Sequence, residues 1–350
     1  MKPGFDIHNK RRMELAKERL KQNRKVNLHN RCKTLRFIDY LETQGVSLPR
    51  RIRYVQNLTK LAAMLDKKDF EDANRNEIEQ VILQHSRMQL ADDTKVLFNV
   101  MVKRFYRWLK DPDDEEYPKE VKWIRTTGKK SEHVLPEDLL TENDVVALIK
   151  AAEWSRDKAL VAMLYDSGGR IGEVLTLQRR NVSFDEYGAV VVVDGKTGQR
   201  RGRLIQSVPY LADWLNDHPD KRPDAPLWIH CRQGCHQPGI TPLDYYSTRA
   251  LLQRLKFRCG ITKAVNPHAF RHARATHLAN QLTEAQLKQL FGWSQESKMA
   301  GRYVHLSGRD VDTALLRIHG LATGKEQYKP KLSVAICVRC EHENLHETCA

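Results

Sequence analysis

The chain has 350 residues, 41% of them hydrophobic, with 59 Lys and Arg against 44 Asp and Glu and a formal net charge of +15. That length suffices for two globular domains, each with a core of its own. No apolar run of about 18 residues appears and the first residues are charged where a secretory signal would be apolar, so an intracellular, cytoplasmic or nucleoid-associated protein is expected.

The positive charge is concentrated at the front, where residues 1–60 hold 16 Lys or Arg and only 5 acids. A basic balance of this kind, with a pI near 9.5, suits a polyanionic partner, and nucleic acid is the expected one. Residues from about 9 to 110 read as helices. Val96, Leu97, Val100, Met101, Phe105 and Trp108 recur at three- and four-residue steps, which predicts an inward face. From Asp111 to Pro136 the chain turns to charge, proline and the Thr127-Gly128-Lys129-Lys130 run, a linker composition, and the domain boundary is placed near residue 130.

Thr141 followed by Glu142, Asn143 and Asp144 predicts a capped amphipathic helix. A second helix through Ala159–Leu164 stops at Ser167-Gly168-Gly169, and another begins around Arg170. Ala189–Val193 and Arg203–Pro209 read as two strands of a hairpin joined by Asp194-Gly195-Lys196-Thr197-Gly198, after which the chain is mainly helical to about residue 320. The expected fold is therefore mainly α with a small antiparallel β-sheet.

Arg170 opens a helix with Glu173 at i+3 on the same face, a pair that can hold a guanidinium in place. Following Asn266-Pro267, the i, i+3 spacing of His268 and Arg271 turns both toward one side, while Phe270 and Ala273 point elsewhere. Leu290-Phe291-Gly292-Trp293 comes next, and ten residues after Trp293 stands Tyr303. Each piece alone is ordinary for a solvated helix face.

Together and in this order, the pieces resemble the tyrosine recombinase (phage integrase, Xer-like) family. Ser167-Gly168-Gly169-Arg170-Ile171-Gly172-Glu173-Val174-Leu175 and His268-Ala269-Phe270-Arg271-His272-Ala273-Arg274-Ala275-Thr276-His277 look like its two arginine boxes, over roughly residues 140–320. Tryptophan stands at Trp293 where most members carry histidine, and the interval to Tyr303 is one residue longer than the commonest. The resemblance implies a helical, SAM-like core-binding domain over 1–130, a catalytic domain over 131–325 and a cysteine-rich tail over 326–350. It implies a catalytic set of Tyr303 as nucleophile, Arg170 and Arg271 clamping the scissile phosphate, Lys196 in the hairpin loop, His268 and Trp293, with Glu173 supporting. The implied activity is site-specific DNA recombination through a 3′-phosphotyrosine bond, on double-stranded DNA, by a homotetramer spanning two DNA sites. The long basic N-terminus and the cysteine-rich tail suit an archaeal or mobile integrative element. A type IB topoisomerase, or a catalytically inactive architectural DNA-binding protein, is the alternative.

The chemistry fits these roles. Attack on a phosphodiester builds negative charge on the non-bridging oxygens, which fixed guanidinium groups meet without a metal. A phenol with a pKa near about 10 needs a base such as His268, and the departing 5′ oxygen needs an acid, for which Lys196 is suited. Because the phosphotyrosine bond conserves the energy of the linkage, no ATP and no cofactor are expected. The 7 cysteines are an odd count without secretory context, which argues against a disulfide framework. Cys337, Cys340 and Cys349, with His342 or His346, have the spacing of a structural zinc site, as more weakly does His230-Cys231 with Cys235-His236. Tyr328 is a rival nucleophile, set apart by its Lys-Pro-rich surroundings.

Overall fold

The computed structural model describes residues 10–110, 116–128, 136–195, 198–230, 241–279 and 281–306, with short pieces at 319, 335–336 and 343–344. The chain divides into two compact units, one of residues 8–133 and one running from residue 134 onward. Among the described residues no helix is long and apolar enough to cross a membrane.

In the first unit five helices, α1 (Arg11–Gln22), α2 (Leu28–Thr43), α3 (Leu48–Met64), α4 (Arg75–Ser86) and α5 (Asp92–Lys110), enclose an aromatic core. Phe37 lies at its centre, edge-on to Tyr54 at 5.4 Å and to Phe105 at 5.2 Å. The inward stripe of α5 is Phe98, Met101, Val102, Phe105 and Tyr106, rotated from the predicted one. Val96, Leu97, Val100 and Trp108 are only partly buried. Both stripes contain Met101 and Phe105. The apolar arc is wider than one face, and packing around Phe37 chooses the part that turns fully inward.

The second unit is built on α7 (Ser155–Ser167), in which every residue from Arg156 to Asp166 except Lys158 is buried. It extends beyond the predicted Ala159–Leu164 at both ends. A helix apolar nearly all round must be central, and α7 packs against α6 (Glu142–Ala151), α9 (Val208–Asp217), α11 (Pro267–Ala279) and the sheet. Thr141 caps α6 as predicted, its Oγ1 accepting from the Asp144 N–H at 3.2 Å. The sheet has three antiparallel strands, β1 (Val182–Asp185), β2 (Gly188–Gly195) and β3 (Gly198–Leu204). Ala189 pairs with Leu204 and Gly195 with Gly198.

The sheet corrects two expectations. β3 begins at Gly198, five residues before the expected Arg203, because the hairpin pairs up to Gly195 and Gly198. It ends at Leu204 rather than Pro209, because buried Asp166 accepts from the N–H of Ile205 at 2.8 Å and of Ser207 at 3.0 Å, and Pro209 lies in the first turn of α9, where proline is tolerated. β1, which the sequence reading left out, pairs with the far edge of β2. The unit continues through α10 (Tyr245–Arg258), α11, α12 (Glu284–Phe291) and α13 (Met299–Leu306). Two short strands, Ala335–Ile336 and Glu343–Asn344, pair antiparallel.

Candidate active site

The turn after α7 is made by Gly168 in the left-handed region, at φ 53°. A Cβ there would lie 2.4 Å from Phe291 Cε1, so both conformation and space demand glycine. Arg170 then caps α8, a short helix of Ile171–Leu175. Its position is fixed by fully buried Trp228, whose indole N–H donates to Val174 O at 2.9 Å.

Glu173 is the buried centre of this arginine box. Its Oε1 accepts from Arg170 Nη1 at 2.9 Å, and its Oε2 accepts from the Arg170 N–H at 2.9 Å and from Arg200 Nη2 at 2.7 Å. Burial pushes the carboxyl pKa upward, but the hydrogen bonds and charges of Arg200 and Arg170 prevail and hold it at about 2. A Cβ on Gly195 would meet Glu173 Oε1 at 2.6 Å, so the base of the hairpin lies hard against the carboxylate. Lys196, the next residue, lies outside the described residues.

The second box starts α11. Asn266 Oδ1 accepts from the N–H of His268 and of Ala269, each at 3.0 Å. Phe270 and Ala273 go into the core, and Arg271 is buried on the opposite side. Its Nη1 donates to Gly168 O at 2.9 Å and its Nη2 to Phe291 O at 2.6 Å, tying the end of α7 to the end of α12. Burial, followed by repulsion from Arg170, lowers its pKa to about 10, so it stays charged at neutral pH.

Arg170, His268 and Arg271 line one cavity of ≈ 440 Å³. Tyr245, Arg249 and Gln253 of α10 line it too. His268 is exposed at its wall; desolvation there, then the charges of Arg271 and Arg170, keeps its imidazole below the usual pKa. Three guanidinium groups and a histidine around one hollow suit a phosphodiester, because planar forks match anionic oxygens.

Tyr303, on α13, is 2% exposed and does not line that cavity. It lies behind Arg271 in a stack of rings. Its phenol is parallel to Trp293 at 5.4 Å and 3°, Trp293 stacks on Phe291 at 4.9 Å, and the Arg271 guanidinium lies 5.1 Å from the Phe291 ring and 5.5 Å from that of Trp293. The Tyr303 hydroxyl is hydrogen-bonded to His272 Nδ1. Burial raises the phenol to about 12 against the opposing charges of Arg271 and Arg302. His272 is depressed to about 4 by burial and by His268, Arg302 and Arg271, so its imidazole is neutral at pH 7.

The structure thus gathers Arg170, Glu173, His268, Arg271, Trp293 and Tyr303 in one region. It adds residues that the sequence reading passed over. Arg200 shares Glu173 with Arg170, and its Nη1 is buried without a hydrogen-bond partner among the described residues. His272, not His268, meets the phenol. Tyr245, Arg249 and Gln253 stand at i, i+4 and i+8, a one-face pattern that sequence could have shown. Cys231, Cys235, His236, Tyr328, Cys337, Cys340, His342, His346 and Cys349 lie outside the described residues. Among those described, no group of three or more His, Cys, Asp or Glu could hold a metal.

Residues 138–309 match the Phage integrase family, and over this segment the chain is similar to tyrosine recombinases. The tyrosine recombinase XerC of Nitrobacter winogradskyi is 34% identical over 134 residues, 37% of this chain and 39% of that protein. XerC of Chlamydia trachomatis is 24% identical over 302 residues, 77% of this chain and 92% of that protein. In the first relatives the match spans about two-fifths of their length, 39% and 44%. The fold is similar to that of the XerH recombinase in its post-cleavage complex with difH DNA, at a TM-score of 0.59 and 15% identity over 88% of this chain and 95% of that one. It is also similar to lambda integrase in a tetramer bound to a Holliday junction, at a TM-score of 0.60 and 17% identity over 87% and 83% of the two chains.

Proposed function

We propose that the protein is a site-specific DNA recombinase of the integrase type. One observation carries this reading: Arg170, His268 and Arg271 converge on a single cavity, and buried Tyr303 stacks on Trp293, whose ring lies 5.5 Å from the Arg271 guanidinium. Arg170 and Arg271 hold the non-bridging oxygens of the scissile phosphate, where each positioned donor is worth about 10²–10³ in rate. Tyr303 Oη bonds to phosphorus as the bond to O5′ breaks, leaving DNA on the tyrosine through its 3′ phosphate. Lys196, which follows Gly195 against Glu173, gives the departing O5′ its proton. A 5′ hydroxyl from a second duplex then attacks the phosphotyrosine and exchanges strands without ATP.

The partners are double-stranded DNA and further copies of the chain, four on two DNA sites, by analogy with the lambda integrase tetramer. Both units bear on duplex DNA mainly through phosphate contacts, the basic first unit included. The protein acts in the cytoplasm on nucleoid or mobile-element DNA. A type IB topoisomerase would use the same cleavage without partner copies. A plasmid carrying two copies of a site selected from random DNA by binding separates the two. Recombinant circles, lost in Tyr303→Phe, support recombination, whereas relaxation with no exchange supports the topoisomerase.

A further inference from the structure

The site carries two histidines one helical turn apart, and they occupy different places. His268 faces the phosphate cavity. His272 lies one ring deeper, edge-on to His268 with centroids 4.1 Å apart, and it alone of the two is hydrogen-bonded to Tyr303. Accepting the reading of Tyr303 as nucleophile, we propose that His272 receives the phenol proton when the tyrosine attacks phosphorus.

Four features of the site support this assignment. The geometry is direct, because Nδ1 is already at the hydroxyl and needs no bridging water. The imidazole is neutral in the free protein, held there by burial and by the positive charges of His268, Arg302 and Arg271, and only a neutral imidazole can accept a proton. The ionisable groups facing His272 are His268 and Arg271 on α11 and Arg302 and Tyr303 on α13. All but the phenol are basic, so the arrival of a phosphodiester anion at Arg271 cancels part of the field that depresses His272. Base strength thus rises when DNA occupies the site, and the free protein keeps its tyrosine protonated. Finally, Trp293 stacked on the phenol fixes the ring plane and keeps the O–H directed at Nδ1.

The step balances. The Tyr303 Oη–P bond forms and the P–O5′ bond breaks, while the phenol proton moves to His272 Nδ1 and a separate acid protonates O5′. On resealing, the imidazolium returns the proton to Tyr303 Oη as that bond breaks. His268 is left to donate to the phosphate oxygens.

Single-turnover formation of the covalent complex on nicked suicide DNA, from about pH 5 to 9, tests this, using His272→Asn, His272→Ala and His268→Asn. Asparagine keeps an acceptor where Nδ1 stands but cannot take a proton. For His272→Asn the expected loss is about 10²–10⁴-fold, with DNA binding unchanged and a rate that climbs steadily with pH as hydroxide takes over. The loss should persist on DNA whose scissile 5′ oxygen is replaced by sulfur, a leaving group that needs no acid. The pH inflection of the wild type should survive in His268→Asn. A His272→Asn rate within threefold of wild type, a loss that vanishes on the sulfur substrate, or an inflection abolished by His268→Asn instead would overturn the assignment. If either His272 variant fails to fold, the wild-type and His268→Asn profiles still decide it. A wild type that forms no covalent complex on any selected site overturns the nucleophile reading itself, and this inference with it.

Discussion

Replacing Glu173 by glutamine leaves the shape of the arginine box nearly intact and removes its only negative charge. In the wild type that carboxylate is 4% exposed and holds Arg170 and Arg200 at 2.9 and 2.7 Å. Its pKa falls from 4.5 to about 2 on folding, and at about 1.4 kcal/mol per pH unit this corresponds to about 3 kcal/mol of stability at neutral pH. Breaking a buried ion pair by removing one partner costs about 3–5 kcal/mol, a range that meets the first figure. A depressed carboxyl pKa gives stability that is complete above 4.5 and is lost as pH falls toward 2. The variant should therefore unfold about 3 kcal/mol more easily at pH 7, and by pH 3.5 the gap should have narrowed by about 1.4 kcal/mol. Urea unfolding of the full chain in a Trp108→Phe, Trp123→Phe background, where the near-ultraviolet tryptophan signal comes from the second unit alone, reads both quantities. A gap that stays constant across this pH range, or no gap at pH 7, would refute the view that Glu173 holds the two arginines as a charge.

Other expectations follow from the same geometry. Arg271→Lys cannot reproduce the fork that spans Gly168 O and Phe291 O, so the rate of covalent-complex formation should fall about 10²–10³-fold; a change below threefold would count against the clamp. Gly168→Ala places a Cβ on Phe291 in a left-handed turn, and the penalties of about 1–2 kcal/mol for conformation and about 1–3 kcal/mol for overpacking should combine to a loss visible by calorimetry, partly relieved by Phe291→Leu. DNA affinity should weaken about 10³–10⁵-fold between about 50 and 200 mM salt if six to ten phosphates are contacted, and a flat response by fluorescence anisotropy would contradict the phosphate-dominated interface.

The parts of the site that were legible in the sequence are those set by local spacing. The i, i+3 pair His268 and Arg271 separates from Phe270 and Ala273 as helix geometry requires, and Gly168 marks the end of α7 because only glycine suits that turn. The roles of His272 and Arg200 depend on distant contacts. Which of two histidines at i and i+4 meets a tyrosine 31 residues away from the second is decided by how α13 packs on α11, and helical periodicity carries no trace of that. Arg200 sits among Arg201 and Arg203 on one strand; its choice of Glu173, 27 residues earlier, follows from strand register and from the closeness of Gly195 to the same carboxylate. Both ends of β3, Gly198 and Leu204, differ from the expected Arg203 and Pro209: Gln199, Arg200 and Arg201 carry no apolar alternation to mark the start, and the end is set by a distant contact. Arg203–Pro209 is rich enough in apolar residues to continue a strand, and buried Asp166 on α7 instead captures the N–H groups of Ile205 and Ser207.

Everything in this account turns on the phenol of Tyr303 becoming the atom that carries the DNA. Protease digestion of the trapped protein–DNA complex, followed by mass spectrometry, identifies the residue and the end of DNA attached to it. The account predicts a peptide containing Tyr303 joined to a 3′ phosphate. Attachment at Tyr328 or any other side chain, or to a 5′ phosphate, would contradict it.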